Sequence, residues 1–285
     1  MSTAENKALA GRTALITGGS RGIGAAIALR FAEAGANVSL LATSGRPRPN
    51  RLPGTVYSVA EQVTEAGGNA LAVVGDIRKD DDVEAAVART VEAFGGLDIV
   101  VNNAAAFDTT ATSAIAMKKY DLVHAINARG SFLVSRTALP HLEKSAAGHI
   151  LTISPPIVLS GQWLGPHLAY TASKYAASLN TLGLAAELAD SGIAANSLWP
   201  RTSVGTEGIR MILGEEIAGK RSRTPAVMAD AALAIVSRDP RSFTGRLVTD
   251  EEVLRSEGVT DFSRYRLDGQ ESDLQLSFFL PEITK

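Results

Sequence analysis

The chain has 285 residues, of which 45% are hydrophobic, with a formal net charge of −2 and no cysteine. That apolar share suffices for one buried core, whereas the near-neutral charge offers no electrostatic footprint for nucleic acid or an anionic membrane. The missing cysteines exclude disulfides, thiol nucleophiles and thiolate metal sites, and His124, His141, His149 and His167 lack metal-ligand spacing.

In chain order, short apolar runs predict strands over 13–17, 38–42, 70–75, 99–102, 149–154, 194–198 and 246–249. Helical periodicity predicts helices over 23–34, 56–66, 80–94, 118–142, 169–190 and 225–237. No linker or repeat breaks this alternation. Strands that are apolar throughout, each followed by a helix, predict an α/β fold: a doubly wound parallel Rossmann sheet of about seven strands in a single domain. No apolar run approaches the roughly 18 residues of a membrane span, and residues 1–12 lack the apolar stretch of a signal peptide, so a cytoplasmic protein is expected.

The first strand runs into Gly18-Gly19-Ser20-Arg21-Gly22-Ile23-Gly24, and a helix follows at once. Glycines let the backbone approach a pyrophosphate closely, and the helix N-terminus offers it free N–H groups. A site for NAD usually adds an acidic side chain about 20 residues further on, to bind the ribose 2′-hydroxyl. None occurs between Glu33 and Glu61, and Ala42 and Thr43 stand where it belongs. The loop that follows carries Ser44, Arg46, Arg48 and Arg51 instead. Guanidinium forks pair bidentately with phosphate, and Arg21 adds a second cation, so NADP(H) is predicted over NAD(H).

Tyr170 and Lys174 stand four residues apart, on one face of a predicted helix. A free phenol titrates near about pH 10, and a neighbouring ammonium favours its ionised form. The pair therefore predicts an acidified tyrosine able to exchange a proton.

Thr17-Gly18, Gly22 and Gly24, joined to Asn102-Asn103-Ala104-Ala105 and Tyr170 with Lys174, resemble the short-chain dehydrogenase/reductase family in order and spacing. The segments Ile153-Ser154-Pro155-Pro156, Leu198-Trp199-Pro200-Arg201-Thr202, Met228-Ala229-Asp230-Ala231 and Ser242-Phe243-Thr244-Gly245 look like its hydroxysteroid dehydrogenase-like type-two branch. Some proteins of that branch add a sterol-carrier domain, which this chain is expected to lack. The resemblance implies an oxidoreductase acting on an alcohol or carbonyl, with a tetrad of Asn127, Ser154, Tyr170 and Lys174. In it Tyr170 exchanges the proton, Lys174 lowers its pKa and holds the nicotinamide ribose, Ser154 polarises the substrate oxygen, and Asn127 holds a relay water. The resemblance also implies that Asp76, followed by Ile77, accepts from the adenine amino group, while Asn103, Ala104 and Ala105 lie along the ribose. Pro200, with Thr202 and Ser203 and Thr206 as a further choice, is expected at the nicotinamide amide. Relatives are commonly dimers or tetramers built through helices 118–142 and 169–190, so a homo-oligomer is expected. The other reading is a nucleotide-binding sensor without turnover.

The chain departs from the family pattern at three places. Ser154 precedes Tyr170 by sixteen residues, further than the family's serine, and proline stands at 155. The missing donor is therefore sought also at Ser160, Gln162 and His167, with Trp163, Leu159 and Leu164 as an apolar wall for a lipophilic substrate. Arg201 replaces the usual glycine and is expected to face the substrate cleft. Beyond residue 250 an extension bearing Phe262, Tyr265, Phe278 and Phe279 is expected to pack on the domain or a neighbouring subunit, or to cover the cleft.

Overall fold

The computed structural model describes residues 7–47 and 52–280. Strands β1 (Thr13–Thr17), β2 (Asn37–Ala42), β3 (Asn69–Val74), β4 (Ile99–Asn102), β5 (His149–Ile153), β6 (Ala194–Trp199) and β7 (Leu247–Thr249) form one parallel sheet. Its order is β3-β2-β1-β4-β5-β6-β7. Each strand lies within a residue of its predicted range. β1 pairs with both β2 and β4, as in Ile16↔Leu40 and Ile16↔Val101. Chain order reverses there, which opens a crevice at the carboxyl ends of the strands.

The helices are α1 (Gly22–Glu33), α2 (Val56–Glu65), α3 (Asp80–Phe94), α4 (Met117–His124), α5 (Ser131–Leu142), α6 (Gly161–Leu164), α7 (Leu168–Glu187), α8 (Glu207–Leu213), α9 (Glu215–Arg221), α10 (Ala226–Val236) and α11 (Asp250–Ser256). One sheet face buries Ile27 and Phe31 of α1, Val59 and Val63 of α2, and Val227 and Ile235 of α10. The other buries Val83 and Val87 of α3, Leu133 and Val134 of α5, and Leu184 of α7. Both faces of β1, β5 and β6 are thus covered, and all their residues are buried. This explains why these strands read as mostly apolar runs rather than as strict alternation.

Local signals set several ends. Thr55 caps α2 in a reciprocal box with Ser58, and Thr249 caps α11 in another with Glu252. Three aspartates open α3, where they complement the helix dipole, and Gly95 closes it at φ 82°. The single helix expected over 118–142 is instead interrupted by a π-helical turn, Ala125–Gly130, between α4 and α5. Asn127 sits in this turn, a form that concentrates at functional sites. The structure also adds α8, α9 and α11, where only loop and extension were expected.

Beyond α11 the chain folds back along the sheet's carboxyl end. Tyr265 Oη donates to Asp230 Oδ2 at 2.7 Å, and Arg30 Nε donates to Asp230 Oδ1 at 2.7 Å. Arg223, fully buried, pairs with Glu251 at 2.9 Å and with Glu271, and lies 4.8 Å from the Phe262 ring centroid. No described helix is long and apolar enough to cross a membrane.

Candidate active site

The glycine turn is fastened to β4 by Asn103, whose Nδ2 donates to Thr17 O at 2.9 Å and Gly18 O at 3.2 Å. A Cβ at Gly24 would stand 2.4 Å from that nitrogen, so close packing of turn, helix and strand requires glycine here. Gly22 has φ +56°, a conformation open to glycine at little cost. Between the turn and the ends of β2 to β4 lies a cavity of about 370 Å³. Of the cofactor residues expected between Gly18 and Ala105, all but Gly24 and Arg46 line it: Ser20, Arg21, Gly22, Ile23, Thr43, Ser44, Asp76, Ile77, Asn103 and Ala104 among them.

Among the described residues, Arg21 is the cation that lines this cavity. Its Nη2 donates to Ser44 Oγ at 3.0 Å and Gly54 O at 3.0 Å, and its Nε donates to Pro53 O at 2.7 Å. Arg46 is exposed, and Arg48 and Arg51 lie outside the described residues. Burial draws the Arg21 guanidinium down from its ordinary value, and Glu207 pulls the other way. Asp76 lines the cavity, but both carboxylate oxygens accept from Arg78 Nε, at 3.0 and 2.9 Å. The Arg78 bond lowers the Asp76 pKa.

Tyr170 and Lys174 share one face of α7 and are 5% and 3% exposed. Burial pushes the Tyr170 phenol up, and burial draws Lys174 down to about 7. Lys174 Nζ donates to Ile153 O at 2.7 Å and lies 5.1 Å from the Trp199 ring centroid. Desolvation favours the neutral form of each group.

The Asn127 side chain is held by protein partners. Its Oδ1 accepts from Ala106 N at 2.8 Å, and its Nδ2 donates to Ala106 O and Ser173 Oγ, both at 2.9 Å. It thereby fixes the segment after β4, which carries Phe107 to 4.9 Å from the Tyr170 ring. Ser154 departs from its expected place. It is fully buried with Oγ 3.0 Å from Ser197 Oγ, so its hydroxyl bridges β5 to β6 and no hydrogen bond joins it to Tyr170. Pro155, next in line, has no N–H to offer.

A second, apolar cavity of about 220 Å³ lies beside Tyr170, walled by Phe107, Trp199, Ile209, Leu213 and Phe278. Ile23 and Thr206 line both cavities, so the polar and apolar chambers meet there. Pro200 and Ser203 line the apolar one, whereas the buried Thr202 Oγ1 has no partner among the described residues. Trp163 stands behind the wall, 5.8 Å from both Phe278 and Phe279. His167 is buried against Phe278 rather than on the surface. Its Nδ1 lies 3.0 Å from Thr171 Oγ1, which donates its own proton to Trp163 O at 2.7 Å. His167 Nδ1 must therefore carry the hydrogen.

Arg201 does not face this cleft. It lines a separate cavity of about 510 Å³ with Glu251, Glu252 and Arg255, and its N–H donates to Asp250 Oδ1 at 2.7 Å. Sequence reasoning missed Phe107, Glu207, Ile209 and Leu213. The capping threonine before Glu207 was the one local signal available, since Thr206 accepts from Ile209 N.

A glycine turn at a sheet switch point, with a buried Tyr–Lys pair across the crevice, defines a dinucleotide-binding α/β enzyme scaffold. The chain belongs to the short chain dehydrogenase family, which it matches over residues 12–210. More narrowly, it is 47% identical over 278 residues to hydroxysteroid dehydrogenase-like protein 2 of Danio rerio, covering 93% of this chain and 66% of that one. The chain thus spans just under two thirds of that relative's length. A crystal structure of a short chain dehydrogenase from Mycobacterium thermoresistibile superposes with a TM-score of 0.90 at 47% identity, covering 96% of each chain. A metagenomic short-chain oxidoreductase in complex with NADP superposes with a TM-score of 0.69 at 26% identity, over 85% of this chain and 98% of that one.

Proposed function

We propose that this chain is an NADP(H)-dependent oxidoreductase that interconverts a lipophilic carbonyl compound and its secondary alcohol, with Tyr170 as proton donor and acceptor. The observation that carries the reading is the meeting of two cavities at Ile23 and Thr206, one polar and fitted to a dinucleotide, the other apolar and bounded by Tyr170. The glycine turn and the free N–H groups of α1 suit a pyrophosphate. Arg21 beside Ser44, with no carboxylate following β2, suits a 2′-phosphate. A bound nicotinamide supplies the hydride. Tyr170 then gives its phenolic proton to the substrate oxygen in reduction, and takes it back in oxidation. A neutral phenol is the form burial favours, which matches the donor role. Lys174, on the same helix face, supplies the positive charge that steadies the phenolate left behind. Asn127 acts as a positioning residue, tying Ala106 and Ser173 together beneath Tyr170. Ser154 is a positioning residue of the sheet.

Exposed Phe132 on α5, with Leu179 and Leu182 on α7, supports self-association through these helices, and sedimentation velocity would expose a monomer if the reading is wrong. The function itself is tested by NADPH oxidation against a panel of aldehydes and ketones, with NADH in parallel. Turnover with a clear NADPH preference is expected. Tight NADPH binding with no turnover would favour the sensor instead, and preference for NADH would remove the 2′-phosphate assignment.

A further inference from the structure

Residues 274–280 lie beyond every motif of the dinucleotide site, yet they close the apolar chamber. They run antiparallel to the segment after β6: Leu276 bridges Thr202, Ser203 N donates to Gln275 O at 2.7 Å, and Ser277 N donates to Arg201 O at 3.1 Å. Trp199 Nε1 adds a bond to Phe278 O at 2.8 Å. The segment paired in this way lines the apolar cavity through Trp199, Pro200 and Ser203, so the extension is fastened to the wall of the site.

The two phenylalanines have different surroundings. Phe279 is fully buried, its ring centroid 5.9 Å from that of Tyr170, 5.5 Å from Tyr175 and 5.7 Å from Trp199. It is the one non-glycine residue with positive φ, 70°, among the described residues. A bulky side chain holds that conformation only where packing over-determines it, which marks Phe279 as an anchor. Phe278 is partly exposed, its ring parallel to Phe107 within 9° at 6.1 Å, and it lines the chamber beside Tyr170. With Phe278 in place the chamber holds about 220 Å³. Sites for small molecules commonly span about 300–1,000 Å³. One ring therefore decides whether a branched or polycyclic ligand can reach the phenol.

We propose that residues 274–280 are the specificity wall of the proton-transfer site, with Phe279 as anchor and Phe278 as the ring that limits the chamber to slender, apolar carbonyl compounds. This rests on the reading of Tyr170 as proton donor.

The test compares methyl hexyl ketone, slender, with dicyclohexyl ketone, bulky, as substrates of the full chain with NADPH. F278A is expected to raise kcat/KM for the bulky ketone relative to the slender one by about tenfold, the scale on which apolar pockets discriminate, and F278L by less. The KM for NADPH should stay unchanged in both. An unchanged ratio in both variants overturns the wall. F278L decides the matter if F278A no longer binds NADPH. A second readout needs no turnover. The chain has two tryptophans, and both touch the extension, so acrylamide quenching of their fluorescence reports on this wall. Methyl hexyl ketone should protect both proteins from quenching, whereas dicyclohexyl ketone should protect F278A alone. Equal protection of both proteins by the bulky ketone overturns the wall. A wild-type chain that binds NADPH but reduces neither ketone overturns the oxidoreductase reading, and the quenching pattern then judges the wall separately.

Discussion

The polar chamber and the apolar chamber sit at the same edge of the sheet and are built in opposite ways. The polar one comes from consecutive strand ends, and its parts hold one another through short-range backbone geometry: a left-handed glycine, a helix N-terminus, and Asn103 donating to the carbonyls of Thr17 and Gly18. The apolar one gathers Phe107, Tyr170, Trp199, Ile209 and Phe278 from five separated stretches. Trp199 and Phe278 are joined by one long-range hydrogen bond, and shape and desolvation bring the rest together. A chamber of the first kind recognises a constant ligand, and one of the second kind is free to vary its ligand while leaving the chemistry alone.

Four substitutions press on that contrast, from the largest expected effect to the smallest. Tyr170→Phe should lower kcat by about a thousandfold while leaving NADPH affinity within about twofold, since a positioned acid contributes about 10²–10⁴. Single-turnover kinetics and fluorescence titration measure the two halves. If NADPH binding collapsed as well, the chambers would not be separable. Asp250, fully buried in the C-terminal half, has a carboxyl that burial raises from 3.8 to about 6. The folded state therefore holds that proton more tightly than the unfolded one. The resulting stability is complete below about pH 4 and lost as pH rises through about 6, a change of about 3 kcal/mol at most. Asp250→Asn keeps the acceptor for Arg201 N, so its urea-unfolding free energy should lack this decline between pH 4 and 7. Parallel slopes for both proteins would refute the assignment.

Arg21→Met should weaken NADPH binding by about tenfold and NADH by much less, because a charge-assisted bond is worth about 1.5–3 kcal/mol. An equal loss for both cofactors would make Arg21 a mere clamp on Pro53 and Gly54. Glu207 brings a carboxylate into the polar chamber beside Gly22, and its buried Oε2 has no partner among the described residues. Glu207→Gln should tighten NADPH by about threefold to fivefold, as expected from about 1 kcal/mol of solvent-screened repulsion. Weaker binding would show that the carboxylate serves the site.

How far the sequence carried the reading follows the same division. Strand ends from Thr13 to Thr249 were legible to within a residue, because a strand buried on both faces has few charged positions and a helix buried on one has many. Gly18 to Gly24 were legible because a strand, a turn and a helix touch within a few residues of one another, Thr43 and Ser44 from the end of the next strand, and Asn103 to Ala105 only through the family resemblance. The π-helical turn at Asn127 was not, since its extra residue is specified by Ala106 and Ser173 across the fold. Ser154 misled because position alone does not tell which way a side chain leaves a strand end, and here Ser197 on the neighbouring strand takes its hydroxyl. Arg201 misled for a similar reason: Asp250 holds its N–H and its side chain lines another cavity. The helix at Asp250 could have been read, for Thr249 and Glu252 spell a capping box.

Taken by itself, the sequence determined the doubly wound sheet, the phosphate turn, the want of an acidic group after β2, and the Tyr170–Lys174 pair. These rest on interactions within one or two turns of chain, where spacing dictates geometry. The tertiary structure alone decided the burial of that pair and the closing of the apolar chamber by Phe278. Desolvation and packing depend on what the rest of the molecule places nearby, and an apolar residue destined for a chamber wall looks, in sequence, like any residue of the core.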